Sequence, residues 1–153
     1  MKILLAIDGS DSSRAAVAQV IGRPWPPKTD IRVVSVAHTY LPILVDPAFT
    51  LAAIHHELLE RDRERALRDV EETAKVIRAS ASELNVTSGA LEGVPKEVIL
   101  DEAERFGADL IVLGSHGHGT VRRFLLGSVA QAVVLHAACS VEVVRRRETP
   151  QAV

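Results

Sequence analysis

The stretch best equipped for chemistry runs Gly114-Ser115-His116-Gly117-His118-Gly119-Thr120 and continues Val121-Arg122-Arg123-Phe124-Leu125-Leu126-Gly127-Ser128-Val129. Glycines at this density permit positive φ and let a ligand come close to the backbone. Gly127-Ser128 reads as the opening of a helix, where free N–H groups, a hydroxyl and the positive end of a dipole converge. That combination suits an anion. Asp8 ends the first apolar run, Ile3-Leu4-Leu5-Ala6-Ile7. Its carboxylate would repel phosphate, but it accepts hydrogen bonds from a base amine or from ribose hydroxyls. The expected division of labour is therefore the glycine loop for phosphates and Asp8 for the nucleoside end.

Other candidates carry less. Arg122 and Arg123 suit a γ-phosphate clamp and a solvated loop equally well. His116 and His118 could begin a metal site, but no third ligand stands near them in sequence and only Asp8 could approach, so a phosphate-side or solvent-facing place is favoured. His55 and His56 are neighbours on a helix, point about 100° apart and read as surface residues. His38 follows a strand and is expected at the cleft mouth. His136 suits a helix end. Asp11, Ser12 and Ser13 read as helix-start residues, and Cys139 as a small buried hydrophobe. Two familiar phosphate motifs fail. Gly114-x4-Gly119-Thr120 lacks the lysine of a P-loop, and Gly117-His118-Gly119 is not completed to G-x-G-x-x-G.

Five short apolar runs alternate with helical patterns and must position these groups. Strands are expected over 3–7, 31–37, 86–91, 110–113 and 140–144. The first, second and fourth are apolar on both faces, as in strands buried within a parallel sheet. The third and fifth are more mixed, as in edge strands. Helices are expected over 10–21, 51–84, 95–106 and 128–136. The second shows Leu51, Ile54, Leu58, Leu67, Val70, Ala74, Ile77, Ala81 and Leu84 in steps that mark one amphipathic face, with a kink or fray near 61–64. Pro95 starts the third helix and Gly107 follows its end. Segment 23–28, with Pro24, Pro26 and Pro27, is a stiff connector, and 40–47 is a longer loop. Alternating β and α predicts a doubly wound parallel sheet with right-handed crossovers. Ligands of such sheets bind beyond the carboxyl ends, where strand order reverses. If the first and fourth strands are neighbours there, Asp8 and the glycine loop share one crevice.

Composition narrows the function classes. A chain of 153 residues, 47% hydrophobic, predicts one domain with its own core. The 18 Lys+Arg against 20 Asp+Glu, net -2, speak against a nucleic-acid binder. Scarce aromatics (Trp25, Tyr40, Phe49, Phe106, Phe124) speak against base stacking on single strands. A lone cysteine forms no internal disulfide. No run approaches the ~20 apolar residues of a membrane span, and the first apolar run is too short for a signal-peptide core. A cytoplasmic domain over 1–147 with a short tail over 148–153 is the expectation.

Through these residues the chain resembles the universal stress proteins of the single-domain UspA-like family. The ATP-binding subgroup carries G-x2-G-x9-G-[S/T], and Gly114, Gly117, Gly127 and Ser128 complete that pattern. Ala6-Ile7-Asp8-Gly9-Ser10, Asp109 through Gly117, and Leu126 through Ala130 also match family signatures. The resemblance implies a Rossmann-like five-stranded parallel sheet of order 3-2-1-4-5, with two helices on each face and ATP in the cleft. Asp8 and the backbone near Val36 would hold adenine. Gly114, His116 and Gly117 would line the ribose and α-phosphate, and Gly127, Ser128, Val129 and Ala130 the outer phosphates. It further implies a homodimer through the fifth strand, 141–144. Ser140, where the family often has Pro, and Glu142, where it often has an apolar residue, depart from the pattern.

The leading expectation is an ATP-binding regulatory protein of the stress response, with a regulatory protein partner that the sequence leaves unnamed and slow or no ATP hydrolysis. No phosphate-loop lysine and no base placed to orient water are visible, and Mg2+ would arrive with the nucleotide. The alternative is a nucleotide-free dimeric interaction module on the same fold. An adenylating enzyme is disfavoured, because Asp8-Gly9-Ser10-Asp11-Ser12 lacks paired glycines after the first strand.

Overall fold

Strands that are Ile-, Val- and Leu-rich on both faces need cover on both sides, and four helices among the described residues supply it. The computed structural model describes residues 1–38, 50–117 and 126–146, with the backbone alone for 50–55. In chain order the elements are β1 (Lys2–Ile7), α1 (Asp11–Gly22), β2 (Asp30–His38), α2 (Thr50–Ser80), β3 (Asn85–Gly93), α3 (Pro95–Phe106), β4 (Leu110–Gly114), α4 (Ser128–His136) and β5 (Ser140–Val144). The sheet is five-stranded and all parallel, in the order β3-β2-β1-β4-β5. Ile3 faces Ile31 on one side and Leu110 on the other, so order reverses at β1 and β4. The mixed strands are the two edges, as their patterning predicts.

Alternation along β1 splits the core in two. Ile3, Leu5 and Ile7 pack under Ala16 and Val20 of α1 and Val70, Ala74 and Ile77 of α2. Leu4 and Ala6 pack with Ile99 and Ala103 of α3 and Ala130 and Val133 of α4. The second layer holds the site.

The helix expectations hold with corrections in α2. It runs as one helix through 61–64 and stops at Ser80, four residues before the end of its apolar stripe. The Ser80 hydroxyl donates back to the Val76 carbonyl at 2.9 Å, and Leu84 N–H turns to Ala81 O at 3.2 Å. Leu84 still packs against the core, but from a turn. Leu58 and Leu67 lie exposed, and Ala66 takes the inward place. α3 ends on Gly107 in the left-handed region at φ 69, the conformation glycine supplies most cheaply.

The proline-rich connector has a definite role. Trp25 packs on the α1/α2 layer and donates Nε1–H to Val20 O at 2.8 Å. Thr29 donates its hydroxyl to Pro26 O at 2.7 Å. Arg23 lies 5.0 Å over the Trp25 ring and reaches β5, donating to both Glu142 oxygens at 2.7 and 2.9 Å. The acidic residue on the fifth strand is thus neutralised from within the chain.

Candidate functional site

The site begins at the carboxyl end of β1. Gly9, at φ 78, turns the chain. Asp8 Oδ1 accepts from Ser10 N–H at 3.0 Å, and Asp8 N–H donates to the Ser13 hydroxyl at 3.2 Å. Ser10 then caps α1, its hydroxyl accepting from Ser13 N–H at 3.2 Å. Asp8 is an exposed residue on the rim of this turn.

Across the strand reversal, α1 is tied to the glycine loop. The Ser10 and Ser12 hydroxyls both donate to the His116 carbonyl, the first at 3.1 Å. His116 N–H donates to Ser12 Oγ at 3.3 Å. The expectation for Ser12 and Ser13 was helix initiation alone. Both are buried, and Ser12 is also the clasp between α1 and the loop. Only hydrogen bonding across 104 residues reveals this, and no local pattern announces it.

None of Gly114, Gly117 and Gly127 has positive φ, so conformational freedom is not why they are glycine. A Cβ on Gly114 would stand 2.7 Å from Ser12 C and Ser13 N, so glycine here admits the start of α1. On Gly117 a Cβ would stand 2.7 Å from Asp8 Oδ2. On Gly127 it would stand 3.3 Å from Ser115 O and His116 Cα. Gly127 N–H donates to Ser115 O at 2.8 Å, bringing the start of α4 against the loop. Among the described residues no side chain caps α4. Its first-turn N–H groups at Ser128, Val129 and Ala130 therefore have no intrahelical partner.

These parts enclose a cleft of about 400 Å³, within the ~300–1,000 Å³ usual for small-molecule sites. Asp8, Val36, Gly114, His116, Gly117, Gly127, Ser128, Val129 and Ala130, all nine residues expected at the site, line it. Sequence reading missed its apolar wall of Val34, Pro95, Ile99 and Leu113. The signal was available: Val34 and Val36 share a strand face, and Pro95 and Ile99 sit one helical turn apart. His116 Nδ1 lies 3.0 Å from the Ser115 hydroxyl. Its Nε2 is buried with no hydrogen-bond partner among the described residues, an unmet demand that a ligand oxygen or hydroxyl would satisfy.

The remaining candidates separate from this cleft. His38 is exposed at the end of β2 and does not line it; His56 is exposed on α2. His136 is exposed at the end of α4, its Nδ1 2.9 Å from Ala132 O. Cys139 is half-buried against the α3/α4 layer, and burial pushes its thiol pKa up, as a packing role requires. His118, Arg122, Arg123, the loop over 40–47, the tail over 148–153 and the His55 side chain lie outside the described residues. Among the described residues no group of three or more His, Cys, Asp or Glu is placed to hold a metal ion, and no helix is long and apolar enough to cross a membrane.

Comparisons with known proteins agree with this architecture. The family model described as "Universal stress protein family" matches residues 1–145. A putative universal stress protein of Staphylococcus epidermidis is 35% identical over 153 aligned residues, covering 97% of this chain and 86% of that protein. Universal stress protein MJ0531 of Methanocaldococcus jannaschii is 33% identical over 145 residues, covering 95% and 82%. Among solved structures, hypothetical protein MJ0577 superposes with a TM-score of 0.81 at 26% identity, covering 97% of each chain. Two more distant chains share the fold: a universal stress protein in complex with cAMP (21% identity, TM-score 0.54) and an Arabidopsis thaliana family protein with AMP bound (19%, 0.64).

Proposed function

Because the chain belongs to the universal stress protein family, we propose that it binds ATP in the cleft between β1, β4 and the start of α4, and that occupancy regulates a protein partner in the stress response. One observation carries the reading. The uncapped start of α4 and the Asp8 carboxylate lie on the same cleft, joined by an apolar wall that a purine ring would cover. The wall of Val34, Val36 and Ile99 takes the adenine, with Asp8 accepting hydrogen bonds from the nucleoside. The Ser128, Val129 and Ala130 N–H groups take phosphate oxygens, favoured by the helix dipole. His116 Nε2 serves a ribose hydroxyl or α-phosphate oxygen. The cAMP and AMP complexes of distant family members support an adenine nucleotide as the ligand class.

Hydrolysis is slow or absent in this proposal. The described lining offers no lysine for the phosphates and no group set to orient a water in line. A Mg2+ ion would be shared with the phosphates and supply charge neutralisation there. The protein acts in the cytoplasm as a homodimer through its C-terminal strand.

Releasing whatever freshly purified protein carries, by denaturation and chromatography, tests the reading. Calorimetric titration of the stripped protein with AMP, ADP and ATP completes it. Bound adenine nucleotide, with affinity rising from AMP to ATP, is the expected result. No released nucleotide and no heat at millimolar ATP would overturn it in favour of a nucleotide-free interaction module.

A further inference from the structure

β5 is an edge strand, paired only with β4 among the described residues. The Val144 carbonyl accepts from Ser115 N–H at 2.8 Å on the β4 side. Because backbone direction alternates along a strand, Ser140, Glu142 and Val144 bond inward, while the N–H and C=O groups of Val141 and Val143 point out from the sheet. Beside this edge, α4 leaves Val134 and Leu135 exposed. An open edge of this kind is a template for another strand.

For a second copy of this chain, one antiparallel register pairs all five residues, and its twofold axis passes through Glu142. Val141 then exchanges both backbone bonds with the partner's Val143. Val141 and Val143 project to the same sheet face, so the register keeps side chains on matching sides. Glu142 becomes a pair without backbone bonds, with Cα atoms about 4.5 Å apart. Like charges directly opposite each other are destabilising. Two bare carboxylates would therefore reject the register that fits the backbone best. Arg23 removes the objection, because its two-pronged bond neutralises Glu142 within each copy.

We propose that Arg23 is the determinant of self-association: held by Trp25 and the proline-rich connector, it neutralises Glu142 so that β5 can pair antiparallel with its symmetry mate about that residue. This rests on the homodimer reading above, and it explains why an acidic residue stands on a pairing strand.

Sedimentation of the full chain, its variants and their ATP titrations test the proposal. The parent chain should dimerise, and Arg23→Ala should weaken the dimer by about tenfold or more. Arg23→Ala with Glu142→Gln should restore it, since the repulsion has gone with the charge. ATP affinity should follow neither change. A dimer in the parent with no weakening in Arg23→Ala, or with no rescue in the double variant, overturns the role of Arg23 and leaves the dimer reading standing. A parent chain monomeric up to its solubility limit overturns both. Should Arg23→Ala alone fold poorly, E142C in a Cys139→Ser background that keeps Arg23 reads the register directly. Mild oxidation should give a covalent dimer across the axis, since disulfides accept Cα separations of about 4.4–6.8 Å. A non-covalent dimer that does not cross-link overturns the register.

Discussion

A Cβ at Gly127 would press on backbone atoms of Ser115 and His116, 3.3 Å away, whereas at Gly117 it would press on the Asp8 carboxylate. Both lie on the cleft, so valine at either position should abolish ATP binding by calorimetry while circular dichroism shows the fold retained. Ser128→Ala should weaken binding by about 1–2 kcal/mol if the hydroxyl meets a phosphate. Unchanged affinity in both glycine variants would reject the site. Away from the cleft, the hydrogen bond from Arg14 and the nearby charge of Arg146 hold the exposed Asp11 carboxyl below its usual pKa. The lowered value belongs to the folded state. Its contribution is therefore present above the ordinary carboxylate range and lost as pH falls through the lowered pKa. Carboxyl NMR titration should show Asp11 moving back up in Arg146→Ala, and an unmoved Asp11 would remove Arg146 from the account.

At the scale of elements, the start of α1 sits where a side chain on the last residue of β4 would be. Gly114→Ala would bring a methyl to 2.7 Å from Ser12 and Ser13 backbone atoms. Overpacking of this kind costs about 1–3 kcal/mol, and urea unfolding should show that loss, whereas an unchanged midpoint would mean α1 docks loosely. Alternation and apolar runs made the strands legible, because a buried parallel strand has little choice of residue. Pro95 and Gly107 marked α3 closely. The end of α2 was not legible: Leu84 keeps the stripe in phase, yet the chain must already have turned toward β3. Gly114, Gly117 and Gly127 all line the cleft, but none of them through a positive φ. Their spacing pointed to a backbone freedom that they do not use, while the crowding they relieve comes from residues distant in sequence. Asp8 and the start of α4 could be assigned to one crevice only because parallel topology places reversal points by rule. The serine clasp and the Arg23–Glu142 pair required the folded chain.

For the whole molecule, a ligand held only by the folded state must raise its stability. ATP at a hundredfold excess over its Kd should add about 2.7 kcal/mol, read as a higher Tm. Gly127→Val should lose the increment, whatever its crowding of Ser115 and His116 does to the ligand-free Tm. A rise of equal size in the variant would place the nucleotide elsewhere on the surface.

The central place of β1 has a consequence for synthesis. β1 is made first, yet it lies between β2 and β4. The ribosome must add residues as far as Gly114 before the strand's second flank exists. At ~5–20 residues per second that interval lasts roughly 5–20 s. Throughout it the most apolar strand of the nascent chain has one side exposed to whatever strand, or chaperone, arrives before its own β4.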